Sequence, residues 1–135
     1  MMGRAFLLFG VLPVFAAAQT VNCPPSIDEG SISVARAPAG WLATSPSLVR
    51  LDGGGMLSAN PKQMQYLVPG GSKKVKGGEA SSWTFEPGEE KWLYCTYGNM
   101  AIQLAKRMDD KATACEVAVK RESKQVITSI TAVCR

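Results

Sequence analysis

Four cysteines, at positions 23, 95, 115 and 134, constrain this chain of 135 residues more than any other feature. No two stand in a C-x-x-C spacing, so neither a redox motif nor a zinc knuckle is indicated. An even count in a small exported chain reads as two disulfides. Three connectivities are open, and the strand pattern bears on the choice. Cys115, Val117 and Val119 alternate along one face, and Ile130, Ala132 and Cys134 alternate along another. When the two runs fold about the polar turn Glu122-Ser123-Lys124-Gln125, the faces coincide. One allowed register sets Cys115 opposite Cys134, Val117 opposite Ala132 and Val119 opposite Ile130. This favours Cys115–Cys134 with Cys23–Cys95. The main rival is Cys23–Cys134 with Cys95–Cys115. It has to join two strands across an intervening one, beyond normal Cα reach in a flat sheet.

Export is read from the N-terminus. Arg4 is followed by an apolar run from Phe6 to Phe15, interrupted by Gly10 and Pro13. Ala16-Ala17-Ala18 then supplies small residues before Gln19. This is the pattern of a cleaved secretory signal. The run is shorter than the roughly 20 residues a membrane span needs. No cysteine follows the cleavage point directly, so the expected product is a soluble periplasmic or secreted protein with no lipid anchor and no membrane insertion after cleavage. The expected organisation is a signal over residues 1–18 and a single disulfide-bonded domain over 19–135.

Cleavage removes Arg4 alone, leaving fourteen basic residues against eleven acidic ones, a net +3. The densest basic stretch, Ser72-Lys73-Lys74-Val75-Lys76-Gly77-Gly78, lacks interleaved aromatics and reads as a solvated loop. Nucleic acid is therefore not an expected partner. The chain has no histidine, which removes His triads, His metal sites and imidazole shuttles. Thirteen glycines and eight prolines argue for many turns and against a helical bundle.

Along the chain, residues 19–30 form an extended lead-in with Pro24-Pro25. Ser31–Ala37 alternates and reads as a first strand. Ser47–Leu51 reads as a second, with Val49 and Leu51 on one face. Asp52-Gly53-Gly54-Gly55 reads as a turn or bulge, and Met56–Ser58 as the return strand. Residues 59–82 look loop-like, with a short strand at Met64–Val68. Trp83 and Phe85 alternate before the turn Glu86-Pro87-Gly88-Glu89. Lys91–Tyr97 is rich in strand formers, and Gly98-Asn99 marks a hairpin. Met100–Arg107 reads as a returning strand, although Met100–Ala112 also accommodates about three helical turns. Ala112–Arg121 and Gln125–Cys134 complete an antiparallel meander. The expected fold is mainly β, a small barrel or sandwich. Its expected core is Val34, Val49, Phe85, Leu93, Ile102, Leu104, Val117, Val119 and Ile130.

The chain offers no marked catalytic set, cofactor site or metal site. Glu89-Glu90 and Asp109-Asp110 are turn carboxylates, and nothing singles out one serine. The aromatics are better candidates. Trp92 and Tyr94 share one face of their strand, opposite Leu93, Cys95 and Tyr97. Whichever set faces outward is a candidate contact patch, because Trp and Tyr anchor interfaces.

The signal, Cys23-Pro24-Pro25-Ser26-Ile27, Trp83-Thr84-Phe85, Trp92-Leu93-Tyr94-Cys95-Thr96-Tyr97-Gly98, Cys115-Glu116-Val117 and terminal Cys134 together resemble a family of small, little-characterised periplasmic proteins of Gram-negative bacteria. That family is similar in size, export and β architecture to periplasmic lysozyme inhibitors, which plug the active-site cleft with loops. The Ser- and Gly-rich loop motifs of those inhibitors are not matched here, so no residue is carried over as a cleft-plugging group. The resemblance implies a periplasmic binding protein that inhibits a lysozyme-like peptidoglycan hydrolase by loop insertion. A hydrolase less basic than the c-type lysozymes suits a chain of net +3. Asp52–Gly55 and Ser72–Gly78 are the candidate loops. The alternatives are an envelope accessory protein without inhibitory role, and a hydrolase with an unrecognised site.

Overall fold

The computed structural model describes residues 10–13, 17–28, 30–44 and 48–135. Most of the expected signal, residues 1–9 and 14–16, lies outside the described residues, as does Ser47. Nine strands are described: β1 (Gln19–Asn22), β2 (Ser26–Asp28), β3 (Leu48–Ser58), β4 (Gly71–Val75), β5 (Gly78–Thr84), β6 (Lys91–Tyr97), β7 (Ile102–Arg107), β8 (Ala114–Arg121) and β9 (Ile127–Cys134). They form two antiparallel sheets. One has the order β1-β9-β8-β5-β4, the other β2-β3-β6-β7. The hairpins of the expected meander are divided between them, β6–β7 in the smaller sheet and β8–β9 in the larger.

Alternation dictates which side chains meet between the sheets. Val49, Leu51, Met56, Leu93, Cys95 and Tyr97 point inward from the smaller sheet, and Trp83, Cys115, Val117, Ile130, Ala132 and Cys134 from the larger. Burying each large aliphatic side chain contributes about 1.5–3 kcal/mol. Tyr97 is fully buried, and its hydroxyl donates to the Pro24 carbonyl at 2.8 Å, so its polar end is satisfied. The β8–β9 register pairs Cys115 with Cys134, Val117 with Ala132 and Val119 with Ile130. The disulfides are Cys115–Cys134, within that pair of strands, and Cys23–Cys95, which ties the link between β1 and β2 to β6.

Several sequence expectations are corrected. Ser31–Ala37 forms no strand, and Val34 is 57% exposed rather than in the core. Alternation alone supplies no neighbouring strand to pair with. Leu104 is also exposed, because β7 is a sheet edge, and Ile102 and Val119 are only partly buried against the core. Of the turn and the bulge open for Asp52–Gly55, the structure has the bulge, so Met56–Ser58 is not a return strand. Asp52–Gly55 runs through the middle of one continuous strand, β3, with a bulge between Leu51 and Gly53. Residues 71–82, expected as loop, lie in the β4–β5 hairpin, turned at Gly77, whose φ of 79° suits glycine. Met64–Val68 makes one bridge, Leu57 to Tyr66, instead of a strand. The ambiguous Met100–Ala112 segment contains strand β7 and no helix.

Candidate binding face

The outward face of the smaller sheet is built from residues that pair directly across it. On β3 these are Gly53, Gly55 and Leu57; their β6 partners are Thr96, Tyr94 and Trp92; the next on β7 are Gln103, Ala105 and Arg107. Glycine decides the relief of this face. A Cβ on Gly55 would lie 2.9–3.1 Å from the Tyr94 ring and hydroxyl, so the ring rests directly on the β3 backbone.

Residues 59–68 cross one end of the face as a strap. Asn60 caps a 3-10 turn, Pro61–Gln63, its side chain accepting from the Lys62 N–H at 3.0 Å. Ala59 and Met64 bracket the turn in left-handed conformation, with φ of 55° and 51°. That conformation is costly for residues with a Cβ and marks a tightly fixed path. The strap is held at both flanks. Leu67 N–H donates to the Met56 carbonyl at 3.0 Å, Ser58 N–H to the Gln65 carbonyl at 3.1 Å, and the Trp83 indole of the larger sheet to the Leu67 carbonyl at 3.1 Å.

The strap delivers Tyr66 to Tyr94. Their rings meet edge to face with centroids 4.9 Å apart, and the Tyr66 hydroxyl donates to Gln103 Oε1 at 2.6 Å. One side chain thus spans from the β3 flank across β6 to β7. Burial pushes the Tyr94 phenol above the usual tyrosine range, and Tyr66 adds to the effect. Beside this pair, Asn60, Pro61, Lys62, Met64, Trp92, Gln103 and Ala105 line an open groove of about 510 Å³. The Trp92 indole donates to Glu90 Oε1 at 2.8 Å, which fixes the ring along the groove wall. Met64 is 60% exposed at its rim.

Trp92 and Tyr94 face outward, and Leu93, Cys95 and Tyr97 inward. Tyr66, Met64 and Gln103 complete the face, and pattern reasoning passes over them. For the strap that carries Met64 and Tyr66 the signal is the Asn60-Pro61 dipeptide, a helix-turn start in a stretch otherwise read as loop; Gln103 has none. Asp52 is a brace: its carboxylate accepts from Thr96 Oγ1 at 2.6 Å and from the Met100 N–H at 3.0 Å, holding the β6–β7 turn. The Lys73–Lys76 stretch lies on β4 and its turn, away from the aromatic groove, with Lys73 3.2 Å from Glu116. The turn carboxylates are engaged locally. Glu89 accepts from the Glu86 N–H, Asp109 from the Lys111 N–H, and Asp110 from Arg107. Among the described residues, no group of three His, Cys, Asp or Glu side chains is placed to hold a metal ion.

The two disulfide-braced sheets thus present a pinned aromatic groove, with Trp and Tyr side chains of the kind that anchor interfaces. Residues 45–135 match the family model of the type VI secretion system Tli immunity proteins. The chain belongs to that family. No curated protein and no solved structure matches it.

Proposed function

We propose that the chain neutralises a toxic type VI secretion effector in the periplasm by binding it and blocking access to its substrate, without turnover. Family membership carries this reading, since an immunity protein acts by binding an effector. The expected signal over residues 1–18 supports a periplasmic location, and β1 begins at Gln19, directly after the expected cleavage point. No helix among the described residues is long and apolar enough to cross a membrane. An effector met in that compartment attacks the envelope, and we take its class to be a lysozyme-like peptidoglycan hydrolase. Neither candidate loop keeps the blocking role: Asp52–Gly55 is interior to β3, and Ser72–Gly78 belongs to the β4–β5 hairpin and does not line the aromatic groove. The aromatic groove takes their place as the contact surface.

The test is protection in cells. A bacterium expressing a periplasm-directed effector of the same genome is co-expressed with the full chain. Survival with intact cell wall supports the reading in full. Survival against an effector that cleaves phospholipid instead keeps the immunity role and overturns the hydrolase class. Lysis unaffected by the chain overturns the role and returns the envelope accessory alternative.

A further inference from the structure

The four free strand edges of the two sheets are not equivalent. β1 and β2 are four and three residues long. β4 is five residues long, but carries Lys73 and Lys74, the side chains that commonly discourage edge pairing. β7, six residues, is the longest, and among the described residues it pairs with β6 alone. Met108 N–H donates to the Lys91 carbonyl at 3.0 Å, which sets the phase of the ladder. By alternation the N–H and C=O groups of Gln103, Ala105 and Arg107 point away from β6. Among the described residues no other backbone group pairs with them.

Both faces beside this edge are concave. On the outer side lies the groove with Met64 and Trp92, which reaches Gln103 and Ala105. On the inner side β7 borders a mainly apolar crevice of about 250 Å³, lined by Val21, Pro24, Leu93 and Leu104 among others. Cys95 of the Cys23–Cys95 bridge also lines the crevice, and beyond β7 the Gln19 Oε1 accepts from the Asp109 N–H at 2.7 Å. Each concavity carries one lysine, Lys62 outside and Lys106 inside, and neither has a carboxylate partner among the described residues.

From this arrangement we infer that β7 takes an extended segment of the effector as an added strand. The inference rests on the immunity reading above. An added strand satisfies the outward backbone groups of Gln103, Ala105 and Arg107. Its alternate side chains then drop to opposite faces, one set into the Trp92 groove and the other into the Leu104 crevice. The matching segment is apolar on both faces where it crosses Ala105, and carries carboxylates that reach Lys62 and Lys106. Main-chain pairing supplies affinity, and the two concavities supply specificity.

The test uses the full oxidised chain and a purified type VI effector of the same genome whose toxicity the chain relieves. Hydrogen exchange is followed in the chain alone and in the complex. The amides of Gln103, Ala105 and Arg107 are expected to slow on binding while those of β4 stay unchanged. Ala105→Pro removes one outward donor and is expected to weaken binding by about tenfold or more, the scale of one interfacial hydrogen bond. The pair Lys62→Glu and Lys106→Glu is expected to weaken it further at low salt, whereas Lys74→Ala leaves it unchanged. If Ala105→Pro fails to fold, exchange in the unmodified chain decides. A tight complex in which the three amides still exchange freely overturns the edge inference and leaves the immunity reading standing. Protection of those amides in the chain alone, rising with its concentration, means a second copy occupies the edge and also overturns it. Failure to form a complex overturns both.

Discussion

The ammonium of Lys91 lies 5.2 Å from the centroid of the Phe85 ring. The side chain is wholly buried, and its nitrogen donates to the backbone carbonyls of Asp109 and Asp110 at 3.1 and 3.0 Å. Lys91 therefore works as a cross-link, joining the start of β6 to the turn that leads into β8. Truncation to alanine leaves a void under Phe85 and two carbonyls without their donor. We expect Lys91→Ala to lower unfolding stability by about 2–3 kcal/mol. Lys91→Met keeps the stem on Phe85 and is expected to cost less than Lys91→Ala. Urea unfolding of both variants checks this, and equal stability of Lys91→Ala and wild type contradicts it.

The two disulfides differ in the length of chain they close. Cys23–Cys95 spans a sequence separation of 72 and Cys115–Cys134 one of 19. Loop entropy alone makes the first stronger, at about 4 kcal/mol against about 3. The second joins strands already paired by the β8–β9 ladder. Thermal unfolding of Cys23→Ala/Cys95→Ala and of Cys115→Ala/Cys134→Ala is expected to show the larger loss in the former. The reverse order would show that the lead-in over β1 and β2 is held by other contacts.

Neighbouring glycines of β3 should respond in opposite ways. A Cβ on Gly54 would meet the Tyr94 carbonyl at 2.8 Å and the Ile130 side chain at 3.1 Å, where the sheets face each other. Backbone cannot yield there, and Gly54→Ala is expected to cost about 1–3 kcal/mol. A Cβ on Gly55 meets only the outer end of the Tyr94 side chain. Gly55→Ala is expected to keep the fold within about 1 kcal/mol. It should tilt Tyr94, loosen its contact with Tyr66 and reduce effector binding. Denaturation curves and binding isotherms of the two variants separate these outcomes.

One pH effect has a definite sign. The Arg107 guanidinium, hydrogen-bonded to Asp110 at 2.8 Å, holds that carboxyl below the usual aspartate range; partial desolvation opposes this, and the charges of Arg107 and Lys91 add to it. A carboxyl lowered on folding stabilises the fold above the unfolded value, and that contribution is lost as pH falls through the lowered folded one. In Arg107→Gln the Asp110 carboxyl is expected to titrate at higher pH, followed by carbon NMR. An unchanged midpoint would show that Arg107 is not the cause.

How much of this was legible from sequence depended on whether a pattern carried its own partner. The runs Cys115–Val119 and Ile130–Cys134 did: two alternating faces joined by a polar turn specify a register, and the structure has it. Ser31–Ala37 alternates as well, but no adjacent run pairs with it. The glycines of β3 read equally as a turn or a bulge, because in isolation glycine suits both. Their role lies in what sits on them, Ile130 on one side and Tyr94 on the other, and neither neighbour is local in sequence. The Tyr66–Gln103 bond, across 37 residues, was out of reach for the same reason. The outward face of Trp92 and Tyr94 was partly readable, since period-two alternation on β6 sets them opposite Leu93 and Cys95. Which set faced the core required the second sheet.

In the proposed role this chain stops an effector by occupying it. The most direct measurement is titration of the oxidised chain into a purified, catalytically active type VI effector of the same genome, with heat of binding and hydrolysis of envelope substrate followed together. A saturable stoichiometric complex is expected, with activity falling in step with occupancy, and loss of both in Trp92→Ala. An effector that keeps full activity under saturating chain would contradict that role.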